Sequence, residues 1–433
     1  MKRIALAVLA GLFAALSLAG CGKAPEGGGK EYCFDYRIRA MATGGSNSVM
    51  ETEDSVYFLL NGMIYMSDKE YKDFMPLCVR PDCMHDDINC NAYSDAVNMT
   101  VYGSCIYYVD GFYARNLFKD GKYIEYLAEY SYEDIEAGLH APEDFVYPAL
   151  WRMQLDGTAH EKLLDLPVPE TDFIPDVNGW PVFFTDKYLV FACSQTDGLG
   201  HSAFDLFVLD LDTLEYRPVS AEAEEFGLSG ISPMAGKGDK LCCYSIDTDA
   251  YAADGTRIVY ACELDCTEAV LKRLGVMEAE NIYPEFNYYI EDNALYYIGH
   301  TGGEDARIQL YKFDLESGEA ELQLSTRPTE MTWCEFDWQN GLLFTDQRRQ
   351  DAVNERGIYF CSLEGETLDK HIYTDAELNE IKKIMMFFQT ESYIFGTGPD
   401  KNGAYNSQNA VPDWYIDKAD IGTGDLMWKR WGD

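Results

Sequence analysis

The residues best suited to chemistry lie in one short segment, Cys78-Val-Arg-Pro-Asp-Cys83-Met-His85-Asp-Asp-Ile-Asn-Cys90. It places three thiols and one imidazole within thirteen residues, with the spacing C-x4-C-x-H-x4-C. A closed tetrahedral zinc site needs four nitrogen or sulfur donors and no open position, and this segment supplies that number. We therefore predict a structural zinc ion bound by Cys78, Cys83, His85 and Cys90.

A disulfide is the alternative interpretation of the same segment. Its spacing departs from the C-x2-C pairs of well-attested zinc sites. Outside the cytoplasm two of the three Cys would form a disulfide, and the third would stay free or pair with Cys33. Both interpretations give the loop a structural role, because all four donors are used and the loop links two predicted repeats. Pro81 and Asp82 then shape its turn.

The remaining Cys residues show no disulfide pattern. The chain contains thirteen Cys, and so many unpatterned thiols do not indicate a disulfide-stapled scaffold. An anaerobic source would explain them. Cys262 and Cys266 flank a turn and could pair or simply be buried neighbours. Six others lie inside predicted strands, where we expect small buried hydrophobes: Cys105, Cys193, Cys242, Cys243, Cys334 and Cys361.

No familiar catalytic pattern is visible elsewhere. The sequence lacks a Gly-x-Ser-x-Gly elbow, a P-loop, a His-Glu-x-x-His pair and a Rossmann fingerprint. Two of the six His, His201 and His300, fall in equivalent predicted loops. An enzyme stays open as an alternative, because active sites assembled from residues distant in sequence escape a motif search.

Short repeated strands are the elements that must position these residues. Phe286–Ser325 contains four of them, with turn residues at Asp292-Asn293 and Gly318. Seven similar first hairpins recur along the chain: Val56–Met66, Val101–Val109, Val182–Cys193, Gly236–Ile246, Phe286–Gly299, Cys334–Phe344 and Phe387–Gly396. A period of about 40–50 residues with four strands per unit is typical of a β-propeller. We predict an all-β fold, a propeller of seven four-stranded blades.

The predicted third strands align with one another. Apolar residues stand two positions apart at equivalent places in five blades: Trp151 and Met153, Phe207 and Leu209, Tyr260 and Cys262, Tyr311 and Phe313, Tyr359 and Cys361. Packing of one blade on the next requires this period of two.

Two segments resemble known propeller proteins. Strand–turn units such as Leu310-Tyr-Lys-Phe-Asp-Leu-Glu-Ser-Gly resemble those of bacterial propellers of the TolB and YWTD types. The segment Pro76-Leu77-Cys78…Cys90-Asn91-Ala92 is similar to a family of propeller lipoproteins of unknown function from anaerobic gut bacteria. The resemblance covers most of the mature chain and implies the fold and the lipid anchor, but no activity.

The N-terminus predicts export and anchoring. Lys2-Arg3 is followed by the apolar run Ile4–Leu16, which is too short for a permanent membrane helix, so residues 1–20 are predicted to be a signal peptide. Leu-Ala-Gly-Cys21 resembles a lipobox, which implies acylation of Cys21 with palmitate-type chains. We assign 21–47 to the lipidated Cys and a flexible tether, and 48–433 to the propeller, with a cysteine loop at 78–92 and an insertion at 111–148. The predicted location is the extracytoplasmic face of the cell membrane.

The charge of the chain excludes one class of partner. Its formal charge is −40, and it becomes −42 when Lys2 and Arg3 leave with the signal peptide. A surface with this much negative charge repels nucleic acid. We therefore expect no nucleic-acid partner. The acidic residues are spread along the chain, which indicates solubility outside the cell more than a specific site.

Long segments between predicted strands indicate a ligand face. In a propeller, the connection from the second to the third strand lies on the same face as the link to the next blade. Segments longer than a fold requires tend to be functional. We predict a membrane-anchored binding module for an unknown glycan, peptide or protein, and the alternative is a propeller enzyme acting on glycans or peptides. The candidate ligand-binding residues on this face are Trp180, His201, Tyr251 and His300.

Overall fold

The structure is a computed structural model, and it describes most of the chain between Ser48 and Arg430. The described residues are 48–60, 63–69, 71, 74–85, 90–94, 99–110, 149–166, 182–185, 187–196, 202–222, 231–237, 239–247, 258–278, 281–282, 288–291, 293–301, 307–326, 334–337, 340–348, 355–381, 384–390, 392–397 and 414–430.

Seven sheets, each built from strands that follow one another in the chain, form a seven-bladed β-propeller. The predicted fold class is therefore confirmed. Blade 1 contains β1 (Ser48–Glu51), β2 (Ser55–Leu60), β3 (Met63–Asp68) and β4 (Met75–Pro76). Blade 2 contains β5 (Met99–Tyr102), β6 (Cys105–Asp110), β7 (Ala149–Gln154) and β8 (Glu161–Asp165). Blade 3 contains β9 (Val182–Phe184), β10 (Tyr188–Thr196), β11 (Ser202–Asp210) and β12 (Tyr216–Pro218).

Blades 4 and 5 each carry an additional short strand. Blade 4 contains β13 (Ser220–Ala221), β14 (Ile231–Lys237), β15 (Lys240–Ile246), β16 (Val259–Asp265) and β17 (Val270–Val276). Blade 5 contains β18 (Asn281–Ile282), β19 (Tyr288–Glu291), β20 (Ala294–His300), β21 (Ile308–Asp314) and β22 (Ala320–Thr326). In blade 4, β13 pairs in parallel with the outermost strand β17. In blade 5, β18 and β19 both pair with β20, so that two short strands share the innermost position.

The only α-helix of the described residues lies in the chain between the last two blades. Blade 6 contains β23 (Cys334–Asp337), β24 (Leu342–Gln347), β25 (Gly357–Cys361) and β26 (Thr367–Ile372). Helix α1 (Asp375–Ile381) follows. Blade 7 contains β27 (Met385–Gln389), β28 (Tyr393–Thr397), β29 (Trp414–Asp417), a 3-10 helix (Lys418–Asp420) and β30 (Lys429–Arg430). No helix of the described residues is long and apolar enough to cross a bilayer.

Blade 1 corrects one sequence prediction. The hairpin Val56–Met66 was predicted to join the first two strands, but it spans β2 and β3, because β1 already pairs with β2. Its turn at 61–62 therefore connects the second and third strands. The true first turn, at Thr52, contains none of the Gly or Asn residues that mark a hairpin in sequence. It is closed instead by the Thr52 hydroxyl, which accepts from the Ser55 N–H at 3.1 Å.

Each blade packs on its neighbour through the turn after its third strand. Gly318 lies in this turn of blade 5 with φ +73°, and a Cβ there would stand 2.3 Å from the Leu274 carbonyl oxygen of blade 4. Only glycine fits both that conformation and that contact. Side-chain hydrogen bonds join further pairs of blades: the Tyr57 hydroxyl donates to Leu155 O at 3.1 Å, and the Tyr102 hydroxyl donates to Asp212 Oδ1 at 2.7 Å.

Among the described residues, side chains and no shared sheet close the ring between blades 7 and 1. The innermost strands β27 and β1 contact each other. Behind them a buried cluster joins residues of both blades, among them Phe58, Tyr71 and Phe395. The rings of Tyr71 and Phe395 lie 5.0 Å apart, and the Tyr71 hydroxyl donates to Glu51 Oε1 at 2.7 Å.

Candidate metal centre

The cysteine loop starts and ends on the same residue of strand β3. Leu77 N donates to Ile64 O at 2.8 Å as the chain enters the loop, and Ile64 N donates to Ala92 O at 2.7 Å as the chain leaves it. Leu77, Cys90 and Ala92 are buried in the core of blades 1 and 2. The loop between them is thus clamped at its base by the backbone of Ile64.

The four predicted ligands converge inside this loop. Donor atoms of Cys78, Cys83, His85 and Cys90 all lie within 4.8 Å of one another, and His85 Nδ1 lies 3.4 Å from Cys90 Sγ. Donors arranged tetrahedrally around zinc stand about 3.5–3.8 Å apart, so a small contraction suffices. None of the three Cys forms a disulfide in this arrangement.

Backbone geometry places the imidazole among the thiols. His85 has φ +57°, in the left-handed region that only a few per cent of non-glycine residues adopt. The preceding residue, Met84, is exposed, and Cys83 N donates to Arg80 O at 3.2 Å to close the turn before it. A strained conformation at one of four converging donors is typical of a functional site.

Backbone N–H groups also point at the sulfur atoms. Arg80 N and Asn91 N hydrogen-bond the Cys78 sulfur, and Ala92 N hydrogen-bonds the Cys90 sulfur. Cys78 and Cys90 therefore each receive an N–H from the residue two positions later. Such donors stabilise a thiolate more than a thiol. These hydrogen bonds were not predicted. The sequence shows only that Arg80 and Ala92 are not proline and therefore have an N–H to donate.

Ionisation is divided unequally among the thiols. Burial opposes ionisation of Cys78, yet its backbone donors and the Cys90 and Cys83 thiols bring its pKa below the usual range. Burial raises the pKa of Cys90 to about 12, and the neighbouring Cys83 and Cys78 raise it further. One thiolate is thus favoured and a second is opposed. A bound cation is what allows several thiolates at so short a separation.

The arrangement has the chemistry of a closed structural centre. Three sulfur donors and one nitrogen donor fit zinc, and soft thiolates exclude magnesium and calcium. Cys90 is buried, and the other three donors are half-buried at the protein surface. Four protein donors leave no position for a substrate, so the centre is not suited to catalysis.

The other candidate residues are not tested by the described part of the chain. Cys21, Cys33, Trp180, His201 and Tyr251 lie outside it. His300 is described in its backbone only, where it pairs with Asn281 and Ile308. The insertion at 111–148 is also outside the described residues.

Cysteines elsewhere follow the predictions in part. Five of them are free and buried: Cys242, Cys243, Cys262, Cys266 and Cys361. Cys262 and Cys266 are therefore buried neighbours and not a disulfide pair. Cys105, predicted to be a small buried hydrophobe, is buried but disulfide-bonded. The strand pattern around Cys105 is the same as around the free thiols, so no sequence signal separates them.

A buried polar network between blades 6 and 7 was missed as well. Lys418 Nζ donates to Asp337 Oδ1 at 2.7 Å and to Gln389 Oε1 at 3.2 Å. The Lys418 and Asp337 side chains are only 3% and 0% exposed. The one available signal was Asp417-Lys418, which breaks the apolar pattern of the third strands. This network joins two blades and contains no group poised for reaction.

Comparisons with known proteins find only distant similarities. No protein-family model matches the chain, and no relative was found among curated proteins. An oligogalacturonate lyase in complex with manganese is 12% identical with a TM-score of 0.43, over 86% of this chain and 88% of that one. An oligogalacturonate lyase from Vibrio parahaemolyticus is 12% identical with a TM-score of 0.44, over 89% and 90%. Dipeptidyl peptidase 4 from Porphyromonas gingivalis is 10% identical with a TM-score of 0.39, over 88% and 56%. Similarities this small carry no argument about activity.

Proposed function

We propose that this chain is an exported, lipid-anchored propeller that binds a ligand on one face and is stabilised by a zinc centre in blade 1. The convergence of Cys78, Cys83, His85 and Cys90 is the observation that carries the zinc assignment. The signal-like N-terminus and Cys21 support anchoring to the extracytoplasmic face of the membrane. The disulfide at Cys105 supports an oxidising compartment.

Strand order supports a ligand face. In blades 2 to 7 the second and third strands are joined by long segments: 111–148, 197–201, 247–258, 301–307, 348–356 and 398–413. All of them join the same ends of equivalent strands. Blade 1 is the exception, with two residues at 61–62, and its cysteine loop follows β4 instead. Because β2 and β4 run in the same direction, that loop belongs to the same face.

The zinc assignment is tested by metal analysis. Protein purified under reducing, chelator-free conditions is expected to contain about one zinc per chain, as a closed four-donor site requires. Less than about one zinc per two chains would overturn the assignment, and a disulfide between two of the loop Cys would then be the better interpretation.

The anchor is tested by partitioning. The mature chain is expected in the membrane fraction and to carry radiolabelled palmitate, whereas Cys21→Ser is expected in the soluble fraction without label. Cys33→Ser is the matched control and should behave as the unchanged chain. Wild-type amounts of Cys21→Ser in the membrane would contradict the anchor.

Binding and catalysis are separated by one screen. Glycan and peptide libraries are incubated with the protein, and both retention and chemical change of each member are measured. Retention without turnover is expected of a binding module. Turnover that persists after the zinc is removed would favour the alternative, an enzyme acting on glycans or peptides, since the zinc centre has no open position.

A further inference from the structure

Apolar side chains are concentrated on the outside of the cysteine loop. Met75, Val79 and Met84 are 52%, 54% and 79% exposed. They are three of the eight large hydrophobic residues that stand exposed among the described residues, and they fall within ten positions. Val79 follows Cys78, and Met84 lies between Cys83 and His85 in the chain. The donor atoms of these three neighbours lie within 4.8 Å of one another. We call these three exposed residues, on and next to the cysteine loop, the loop surface. A group of exposed apolar side chains is a candidate for contact with another segment.

A segment upstream of β1 has the complementary pattern. In Tyr32-Cys-Phe-Asp-Tyr-Arg-Ile-Arg-Ala40, apolar residues alternate with polar or small ones throughout. Strict alternation over this length predicts a strand with one apolar side, made by Tyr32, Phe34, Tyr36 and Ile38. Such a strand needs a surface to cover.

The register of blade 1 brings this segment next to the loop surface. Ser48, Leu59 and Ile64 form one row across the sheet, and Ile64 hydrogen-bonds both ends of the cysteine loop. Ser48 thus stands three strand spacings, about 14 Å, from the base of the loop. The eight residues 40–47 can span up to about 26 Å. Strand β1 also begins at the same end of blade 1 as the cysteine loop.

Charge favours the same contact. Residues 30–41 contain three basic and two acidic residues in a chain whose formal charge is −40. Residues 78–90 contain one basic and three acidic residues, and three thiolates around a divalent ion add a further negative charge. The segment and the loop are therefore of opposite sign, which favours docking over repulsion.

We propose that residues Tyr32–Ala40 dock as an extended strand on the loop surface, with Tyr32, Phe34, Tyr36 and Ile38 covering Met75, Val79 and Met84. Cys33 then lies on the opposite side of the strand and does not pair with the loop thiols. This arrangement goes beyond the zinc centre and the ligand face. It fixes the point at which the tether leaves the propeller, so that only residues 22–31 remain as a spacer of at most about 36 Å.

Oxidation of Met84 tests the contact in the mature, detergent-solubilised chain. Dilute hydrogen peroxide converts an exposed thioether to a sulfoxide, and peptide mass spectrometry gives the rate at each Met. A Phe34→Ser, Tyr36→Ser, Ile38→Ser variant is expected to oxidise at Met84 at least about fivefold faster than the unchanged chain, because the covering side chains are lost. Met427 in blade 7, which is 38% exposed, is the internal reference and should not change.

A matched control replaces the other side of the strand. Cys33→Ser, Asp35→Asn, Arg37→Gln leaves the net charge and the apolar side unchanged, so its Met84 rate should equal that of the unchanged chain. Equal Met84 rates in all three proteins would overturn the docking.

Hydrogen exchange makes the test independent of the variants. In the unchanged chain, amides of residues 32–40 are expected to exchange at least about tenfold more slowly than an unstructured peptide. Exchange at the unstructured rate overturns the docking even when zinc is present. Zinc content, measured in each sample, shows separately whether the metal centre is intact.

Discussion

The thiols of the cysteine loop do not ionise equally. The pKa of Cys78 is lowered and that of Cys90 is raised to about 12, so Cys90 keeps its proton at neutral pH while no metal is bound. A zinc ion that binds Cys90 as a thiolate must displace that proton. Metal affinity and protonation are therefore linked at this centre.

The sign of the resulting pH dependence follows directly. Metal binding lowers the pKa values of the donors, so the stability contributed by zinc is present at high pH and is lost as the pH falls. For each proton released, zinc affinity is expected to rise about tenfold per pH unit. Titration calorimetry in two buffers of different ionisation enthalpy measures the number of protons. A buffer-independent heat between pH 6 and 8 would contradict this.

Substitution of single donors should separate the metal centre from the other cysteines. His85→Ala and Cys83→Ser each remove one of four ligands, so zinc content is expected to fall well below one per chain. Cys361→Ser, a free buried Cys in blade 6, should leave it unchanged. Unchanged zinc in His85→Ala would show that the imidazole is not a ligand.

The buried pair Lys418–Asp337 gives a prediction of stability. Removing one partner leaves the other charge buried, so Lys418→Ala is expected to lower the free energy of unfolding by about 3–5 kcal/mol. Lys240→Ala removes a comparable contact to Glu263 in which the Lys side chain is 57% exposed, and should cost about 1 kcal/mol or less. Urea denaturation measures both, and equal losses would show that burial does not decide the cost.

At the scale of strands and turns, the sequence predicted what depends on alternation and missed what depends on side-chain hydrogen bonds. The aligned positions of the third strands are confirmed: Met153, Leu209 and Phe313 are buried, and the preceding ring positions are half-buried. Turns marked by Gly or Asn were recognised. The first turn of blade 1, closed by the Thr52 hydroxyl, was not.

The same type of turn recurs in two hairpins that were predicted, Val182–Cys193 and Phe387–Gly396. Thr185 and Thr390 each accept a hydrogen bond from the N–H three residues later, at 3.2 Å and 3.1 Å, as Thr52 does. In sequence the three turns read Thr-Glu-Asp-Ser, Thr-Asp-Lys-Tyr and Thr-Glu-Ser-Tyr. Aligned with each other, they would have placed β1 correctly. The convergence of the four candidate metal donors, in contrast, was predictable because they lie close together in the chain.

Glycine at the turn between the third and fourth strands can be tested with a matched pair. Gly318→Ala combines a positive φ with a 2.3 Å clash against Leu274 O, so it is expected to lower the free energy of unfolding by about 2–4 kcal/mol. Gly103→Ala has φ +61° but no atom within 4 Å of its Cβ, and should cost about 1 kcal/mol. Equal losses would show that the contact between blades 4 and 5 does not matter.

On the scale of the whole molecule, blades 7 and 1 share no paired strands within the described part of the chain, so side-chain contacts between them hold the ring closed. The rings of Phe58, Tyr71, Tyr393 and Phe395 supply this contact. Phe395→Ala removes a fully buried ring and is expected to lower the free energy of unfolding by about 3–5 kcal/mol. Amide exchange in β1 and β27 should increase more than in β20. A uniform increase over all blades would contradict a local opening between blades 7 and 1.

Because each sheet of the described residues consists of strands that follow one another in the chain, the order of the blades is open to rearrangement. Strands β1 and β30 lie in neighbouring blades, and β30 ends on the side where β1 begins. A circularly permuted gene could therefore join them with a linker and start the protein at blade 6 instead, without dividing any sheet. The N-terminal segment would then leave from a different point on the circumference. Permutation thus offers a way to rotate the propeller relative to its N-terminal segment while the fold stays the same.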